Sequence, residues 1–301
     1  MKAVLLHAYG GVDQLTYEDV PQPTAQRGEV LVRTIAISIN PIDFKIRRGD
    51  MKERLKLTFP AILGRDLVGT VVALGEGVTS LAEGQIVFGF VNHTYAEYVA
   101  CRADELAVLP AGLDPVDAAA LPLVLSTGSQ LIESGVQARA GQTILITGTL
   151  GSVGRTAAHV ARQHGAEVVA GVRRSEIKDA AAIGAHSVVA VDDESSIGDL
   201  REVDGIADTI GQQVVDKLVS KIKSNGVLAS VVGSTAALSR PDIRVAGVFA
   251  HADPSRLWQL ASDVAAGKFT VPIGRRMKIA QIREAHQAAE SGGAGKIVLT
   301  P

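Results

Sequence analysis

The sequence predicts an α/β protein in two parts: a β-rich, barrel-like part, and a doubly wound parallel sheet covered by helices. Three observations carry this. Up to about residue 118 the chain is a series of short β-rich runs broken by Gly, Pro and Asp clusters. From about Ala119 strands alternate with helical stretches, the pattern of crossovers around a parallel sheet. Early in that second part a strand, a glycine-rich turn and a helix follow one another between residues 143 and 164.

In the first part the predicted strands are 4–7, 30–39, 67–74, 86–90 and 96–100, each rich in branched apolar or aromatic residues and bounded by turn formers. In the second they are 143–147, 167–172, 187–191, 205–209 and 227–232, with helices in the gaps. An apolar run at 243–249 reads as an edge strand that offers unpaired backbone groups to a second copy of the chain. The chain ends on a short helix at 281–290 and a strand at 296–299, which either closes the second sheet or returns to the first part. The sequence shows no internal repeat and no low-complexity tract.

At 301 residues, 47% hydrophobic and 21% charged, the chain has the length for two ordinary domains and the balance of a globular protein. Its longest apolar runs, such as 30–39 and 227–232, stop well short of the roughly 18 residues of a membrane span, so no membrane partner is expected. The opening MKAVLLHAYGG turns at Tyr9, Gly10 and Gly11 and reads as a first strand rather than a secretion signal. A net charge of −2 with both signs interspersed argues against nucleic acid as a partner. Cys101 is the only cysteine, which rules out an intrachain disulfide and a Cys-based zinc cluster and fits a reducing, cytoplasmic setting.

The turn itself reads Thr147-Gly148-Thr149-Leu150-Gly151-Ser152-Val153-Gly154, followed by a helical stretch at 155–164. Its G-x-x-G-x-x-G spacing is one residue longer at the first gap than the common G-x-G-x-x-G. The physical logic is the same: glycines allow a tight turn and let backbone N–H groups and a helix N-terminus approach a pyrophosphate. An ordinary βα turn with incidental glycines is the plainer reading, but the strand before it and the βα alternation after it favour a dinucleotide site. The end of the following strand bears on the choice of cofactor, because an acidic side chain there binds the ribose 2′-OH and repels a 2′-phosphate. Here Arg173, Arg174 and Ser175 occupy that place, with Lys178 one helical turn on, and they favour NADP(H) through charge-assisted hydrogen bonds. The plainer alternative is that Arg173 and Arg174 are solvated charges on a loop. Gly211 and the run Val232-Gly233-Ser234 fall at C-terminal strand ends, where doubly wound sheets hold ligands or where glycine simply breaks the strand.

Four further blocks resemble a known family. Asn40-Pro41-Ile42-Asp43, Gly64-Arg65-Asp66 through Gly69, Tyr95-Ala96-Glu97-Tyr98 and Leu121-Pro122 through Thr127 are similar, in that order, to blocks of the zinc-independent quinone oxidoreductases of the medium-chain dehydrogenase/reductase superfamily, the zeta-crystallin-like and plant enone reductase group. The resemblance implies a GroES-like catalytic domain from residues 1–118 and 267–301, with a Rossmann NADP-binding domain from 119–266 between them. It implies an active site in the cleft between the domains, a quinone or enone as small-molecule substrate, and a homodimer. The zinc-dependent relatives carry a Cys ligand near Asn40 and Gly-His-Glu in place of Gly64-Arg65-Asp66, so no metal is expected here.

Without a metal, polar groups must stabilise the oxyanion that forms as hydride arrives. The resembling enone reductases place an amide and a lysine in this block, which makes Asn40 and Lys45 the candidates; a turn-setting Asn40 and a surface Lys45 are the plain alternatives. The helix-entry residue Thr127 is matched to the nicotinamide carboxamide, or is an N-cap. Asp66 reads as structural. Histidines 7, 93, 159, 164, 186, 251 and 286 lie without ligand spacing and are given no role. The reading is thus of an NADPH-dependent reductase; a non-catalytic NADPH-binding protein would preserve the same turn.

Overall fold

A computed structural model describes residues 1–180, 183–233, 240–293 and 295–301; Ser234 lies outside the described residues. The chain divides into two compact units, Met1–Leu123 with Ala252–Pro301, and Val124–His251.

The first unit is built from short strands: β1 (Lys2–Leu6), β2 (Leu15–Asp19), β3 (Glu29–Ile39), β4 (Ala61–Ile62), β5 (Asp66–Leu74), β6 (Ile86–Phe90), β7 (Tyr98–Arg102) and β8 (Leu106–Val108). Between β3 and β4 stands α1 (Pro41–Arg48), and after β8 come α2 (Pro115–Ala118) and the start of α3 (Pro122–Gln130). One sheet has the order β2-β1-β4, and the larger sheet carries β3-β5-β6-β8 with β7 also on β3. Inward side chains such as Val30, Val32, Leu67, Val71 and Val87 are fully or almost fully buried. β7 starts two residues later than the run 96–100 predicts: Ala96 makes an isolated bridge to Ala3, and the Glu97 N–H goes to Lys2.

In the second unit β9 (Thr143–Thr147) leads through the glycine turn into α4 (Ser152–Gln163), then β10 (Glu167–Val172), α5 (Ile177–Ala180), β11 (Ser187–Ala190), α6 (Glu194–Asp199), β12 (Val203–Asp208), α7 (Gln212–Leu218), β13 (Ile222–Ser230) and β14 (Arg244–Gly247). The strand order is β11-β10-β9-β12-β13-β14 and every pairing is parallel. The order reverses between β9 and β12, the point at which such sheets open a crevice at the carboxyl ends of their strands. β13 begins at Ile222 and stops at Ser230, where the run 227–232 predicts a later strand; the Val232 N–H turns back to Ser230 Oγ instead of a neighbouring strand. Among the described residues β14 pairs with β13 alone, at the edge of the sheet.

The chain then returns to the first unit with α8 (Pro254–Ala265), β15 (Ile273–Lys278), α9 (Ile282–Glu290) and β16 (Lys296–Thr300). β16 pairs antiparallel with β3, Ile297 opposite Ile39, so the last strand has its place in the first unit's larger sheet. α8 packs on β8, which is why the unit boundary falls at 251/252, whereas the sequence placed it at 266/267.

Candidate active site

The block Asn40-Pro41-Ile42-Asp43 opens a regular helix, α1. Pro41 suits the first helical position, Asp43 lies in the first turn and Lys45, Arg47 and Arg48 in the last, and Gly49 ends the helix at φ 88°. The Asp43 carboxylate accepts the Asn40 N–H at 2.8 Å. The Asn40 side chain is turned elsewhere: its Nδ2 donates to Asp66 Oδ2 at 2.7 Å, and its Oδ1 accepts from Lys296 Nζ at 2.7 Å. Asn40 is 1% exposed and Lys296 6%.

Asp66 is the hub of this cluster. Its carboxylate accepts from the Ser38 hydroxyl, Asn40, Lys296 Nζ at 3.1 Å and the Leu123 N–H at 2.7 Å. It thereby joins the end of β3, the cap of α1, the start of β16 and the start of α3. A buried carboxylate with four donors, one of them an ammonium, is a structural anchor, because losing any donor would leave charge less well compensated in a low-dielectric interior.

On the other side of α1, the Tyr95 hydroxyl donates to Asp43 Oδ2 at 3.0 Å and lies 3.3 Å from His286 Nε2. Burial pushes the Asp43 carboxyl up to about 7, against the pull of the Asn40 N–H and the Tyr95 hydroxyl. Burial lowers the His286 imidazole to about 3, and the Arg47 guanidinium adds to that. Arg47, also buried, holds Glu290 of α9 at 2.7 Å. His286, left without a role by the sequence, is thus part of a buried polar chain.

Lys45 and Arg65 differ from these groups. Both are half-buried, and among the described residues neither makes a side-chain hydrogen bond or ion pair. Arg65 lies against the Phe90 ring, 5.8 Å from its centroid.

In the second unit the glycine turn has the geometry of a cradle. Gly148 stands at φ +63°, a conformation costly for other residues, and a Cβ on Gly154 would lie 2.2 Å from Gly148 O. α4 starts at this turn with no side-chain cap. Among the described residues the N–H groups of Leu150, Ser152, Val153 and Gly154 have no partner in the chain, so four donors are open to an anion. Thr149 and Gly151 are different: their N–H groups go to Gly171 O and Gly148 O, and the Thr149 hydroxyl to Ile146 O.

At the end of β10, Arg173 and Arg174 are 76% and 72% exposed in their side chains, and Arg174 already pairs with Asp193 at 2.6 Å. Ser175 and Lys178 are exposed beside them. Thr127 is the sixth residue of α3 and half-buried, which removes the N-cap reading. Gly211 (φ +123°) caps α7, while Val232 is 41% exposed beside Gly233 (φ +86°).

Two family models match the chain, one inside the first unit and one that runs across the 251/252 boundary between the units. Residues 26–111 match the family described as Alcohol dehydrogenase GroES-like domain, and residues 183–299 the one described as Zinc-binding dehydrogenase. The NADPH-dependent alkenal/one oxidoreductase of Arabidopsis thaliana is 30% identical over 100% of this chain and 80% of its own length. The chain belongs to the quinone and enone reductase family of the medium-chain dehydrogenases/reductases. A further family member, the quinone oxidoreductase of Rattus norvegicus, is 27% identical over 99% of this chain and 97% of its own. The solved quinone oxidoreductase of Coxiella burnetii superposes with a TM-score of 0.89 at 27% identity, covering 100% of this chain and 99% of that one. The family's architecture gives the units their names: the first is GroES-like, and the second is a Rossmann sheet.

Sequence reasoning gave no role to Lys296, Arg65 or Asp208 and did not join Tyr95 to His286. Lys296 had a signal: it opens an apolar strand, Lys-Ile-Val-Leu, in which a buried charge needs an acidic partner.

Proposed function

We propose that this family member is an NADPH-dependent reductase of quinones or α,β-unsaturated carbonyl compounds that works without zinc. The observation that carries the reading is the cradle at Gly148–Gly154, with four unpartnered N–H groups at the head of α4. A pyrophosphate would take these donors; Arg173, Arg174, Ser175 and Lys178 would meet the 2′-phosphate, and Thr127, Gly211, Val232 and Gly233 would hold the nicotinamide half. When bound, NADPH supplies the hydride.

The chain's own task is to stabilise negative charge on the carbonyl oxygen and to deliver a proton. Lys45 suits both, as a half-buried cation with no side-chain partner among the described residues. Asn40 has one amide hydrogen beyond the one it gives to Asp66, and Lys296 on its carbonyl makes that hydrogen a stronger donor. Zinc does not fit this donor set: a dication beside Asn40 and Asp66 would face the buried Lys296 ammonium. The setting we assign is cytoplasmic, since a single cysteine, Cys101, can form no intrachain disulfide, which fits a reducing compartment. No helix among the described residues is long and apolar enough to cross a membrane. A homodimer paired along β14 completes the proposal.

The experiment is turnover: NADPH oxidation measured against a panel of quinones and enones. Oxidation that depends on the acceptor supports the reading. Saturable NADPH binding without any oxidation would replace it by a non-catalytic cofactor-binding role.

A further inference from the structure

Asp208 ends β12 and is fully buried, yet none of the motifs assigns it a part. Its Oδ1 accepts from the Thr147 hydroxyl at 2.8 Å, from the Gly211 N–H at 3.0 Å and from the Ile210 N–H at 3.1 Å. Its Oδ2 accepts from the Ser230 hydroxyl at 2.7 Å. Thr147, the last residue of β9 before the glycine turn, is further tied to Thr209: the Thr209 N–H reaches Thr147 Oγ1 at 2.9 Å and the Thr209 hydroxyl reaches Thr147 O at 2.7 Å. On the far side Ser230 Oγ accepts the Val232 N–H at 3.2 Å. One carboxylate therefore gathers the carboxyl ends of β9, β12 and β13, three neighbouring strands at the place where the sheet reverses its order.

A loop that must present backbone to a ligand is mobile unless something holds it, and ordering it at the moment of binding costs affinity. The loop Thr209–Ile210–Gly211 is short and has Gly211 at φ +123°; Thr209 is held by Thr147, itself bonded to Asp208, and Ile210 and Gly211 by their N–H bonds to Asp208. We propose that Asp208 is a positioning residue that fixes the rim of β9, β12 and β13 for the nicotinamide half of the dinucleotide. The inference rests on the cofactor reading above. It says nothing of the adenosine half, which lies by the end of β10 in sheets of this order.

That asymmetry supplies the test. The protein is titrated with NADPH and with adenosine 2′,5′-bisphosphate, which carries the adenosine end alone. Asp208→Ala is expected to raise the NADPH dissociation constant about tenfold or more while leaving that of the bisphosphate within about twofold. Asp208→Asn keeps an oxygen for the Thr147, Ile210 and Gly211 donors and should recover most of the loss. Thr147→Val, which removes one hydroxyl that both donates to Asp208 and accepts from Thr209, stands in if Asp208→Ala does not fold, with the same expected split. Equal weakening of both ligands would mark a general structural role and overturn the proposal, as would unchanged NADPH binding. Wild-type protein that binds neither ligand would overturn the cofactor reading and this inference with it.

Discussion

The Tyr95 hydroxyl donates to Asp43 Oδ2 at 3.0 Å, and His286 Nε2 stands 3.3 Å from that hydroxyl oxygen, so one phenol links two buried titratable groups. Two links need two protons, and Tyr95 has one. The second comes from a protonated Asp43, with Tyr95 donating to His286, or from His286 Nε2–H, with Tyr95 donating to Asp43. The two arrangements differ by one proton, and Asp43 at about 7 places the exchange near neutrality.

Stability should reveal this balance. Asp43 is held above its ordinary value of 3.8, up to about 7, so its contribution is full below about pH 3.8 and is lost as pH rises towards 7. His286 is held below its ordinary 6.5, at about 3, so its contribution is full above about pH 6.5 and is lost as pH falls towards 3. The two slopes oppose each other between about pH 4 and 6.5. Three other charged groups face this cluster: Asp66 pushes the Asp43 carboxyl up, Arg65 pulls it down, and Arg47 pulls the His286 imidazole down. Removing one group exposes the other: His286→Gln should lose stability as pH rises from 4 to 7, and Asp43→Asn should gain it from 3 to 6.5, each by up to ~1.4 kcal/mol per pH unit. Chemical denaturation across pH checks this; parallel curves for the two variants would contradict it.

Lys45 carries the catalytic prediction. Losing a preorganised donor to a developing oxyanion costs about 10²–10³ in turnover. Lys45→Met should therefore lower kcat strongly on both a quinone and an enone while leaving the NADPH dissociation constant nearly unchanged. Wild-type kcat/KM on both substrates would make Lys45 a surface residue.

Local patterns explain why much of this was legible. The strands Thr143–Thr147 and Glu167–Val172 match their predicted runs to the residue, because a buried parallel strand is an unbroken apolar run between turn formers. The glycine turn is likewise local. What stayed hidden joins distant parts of the chain: Lys296 meets Asp66 across 230 residues, and His286 meets Tyr95 across 191. Neither partner shows a spacing signal. Asp66 did read as structural, but its donors on β3, α3 and β16 come together only through the fold. Asn40 shows the converse limit, since its block was legible and the internal use of its amide was not.

Self-association should follow from β14, whose described pairing is with β13 alone. An exposed edge in a long sheet is a template for another strand, and a two-fold axis closes the assembly without leaving a new edge. Light scattering at micromolar concentration should give the mass of a dimer. A monomer mass would remove β14 as an interface.

Activity should survive exhaustive chelation, because Lys296 occupies the charge position that a metal beside Asn40 and Asp66 would need. Elemental analysis should find no stoichiometric zinc. Stoichiometric zinc, lost together with activity on chelation, would contradict the donor-set argument.

Cofactor choice turns on whether Arg174 leaves Asp193 for a phosphate. The existing pair, at 2.6 Å with the arginine side chain 72% exposed, is a surface ion pair of the kind that contributes at most about 1 kcal/mol. A charge-assisted hydrogen bond to a 2′-phosphate contributes roughly 1.5–3 kcal/mol, and Arg173, whose nearest acid is Glu176 at 3.9 Å, adds a second donor. The phosphate therefore wins the exchange, and NADPH should bind at least about tenfold more tightly than NADH. Changing both arginines to alanine should weaken NADPH and spare NADH, since the ribose hydroxyls make no demand on either guanidinium. Asp193→Asn gives the opposite sign: it frees Arg174 and should tighten NADPH further. Fluorescence titration of the three proteins with both nucleotides decides the matter, and equal affinity for NADH and NADPH in the unaltered protein would show that Asp193 keeps its arginine.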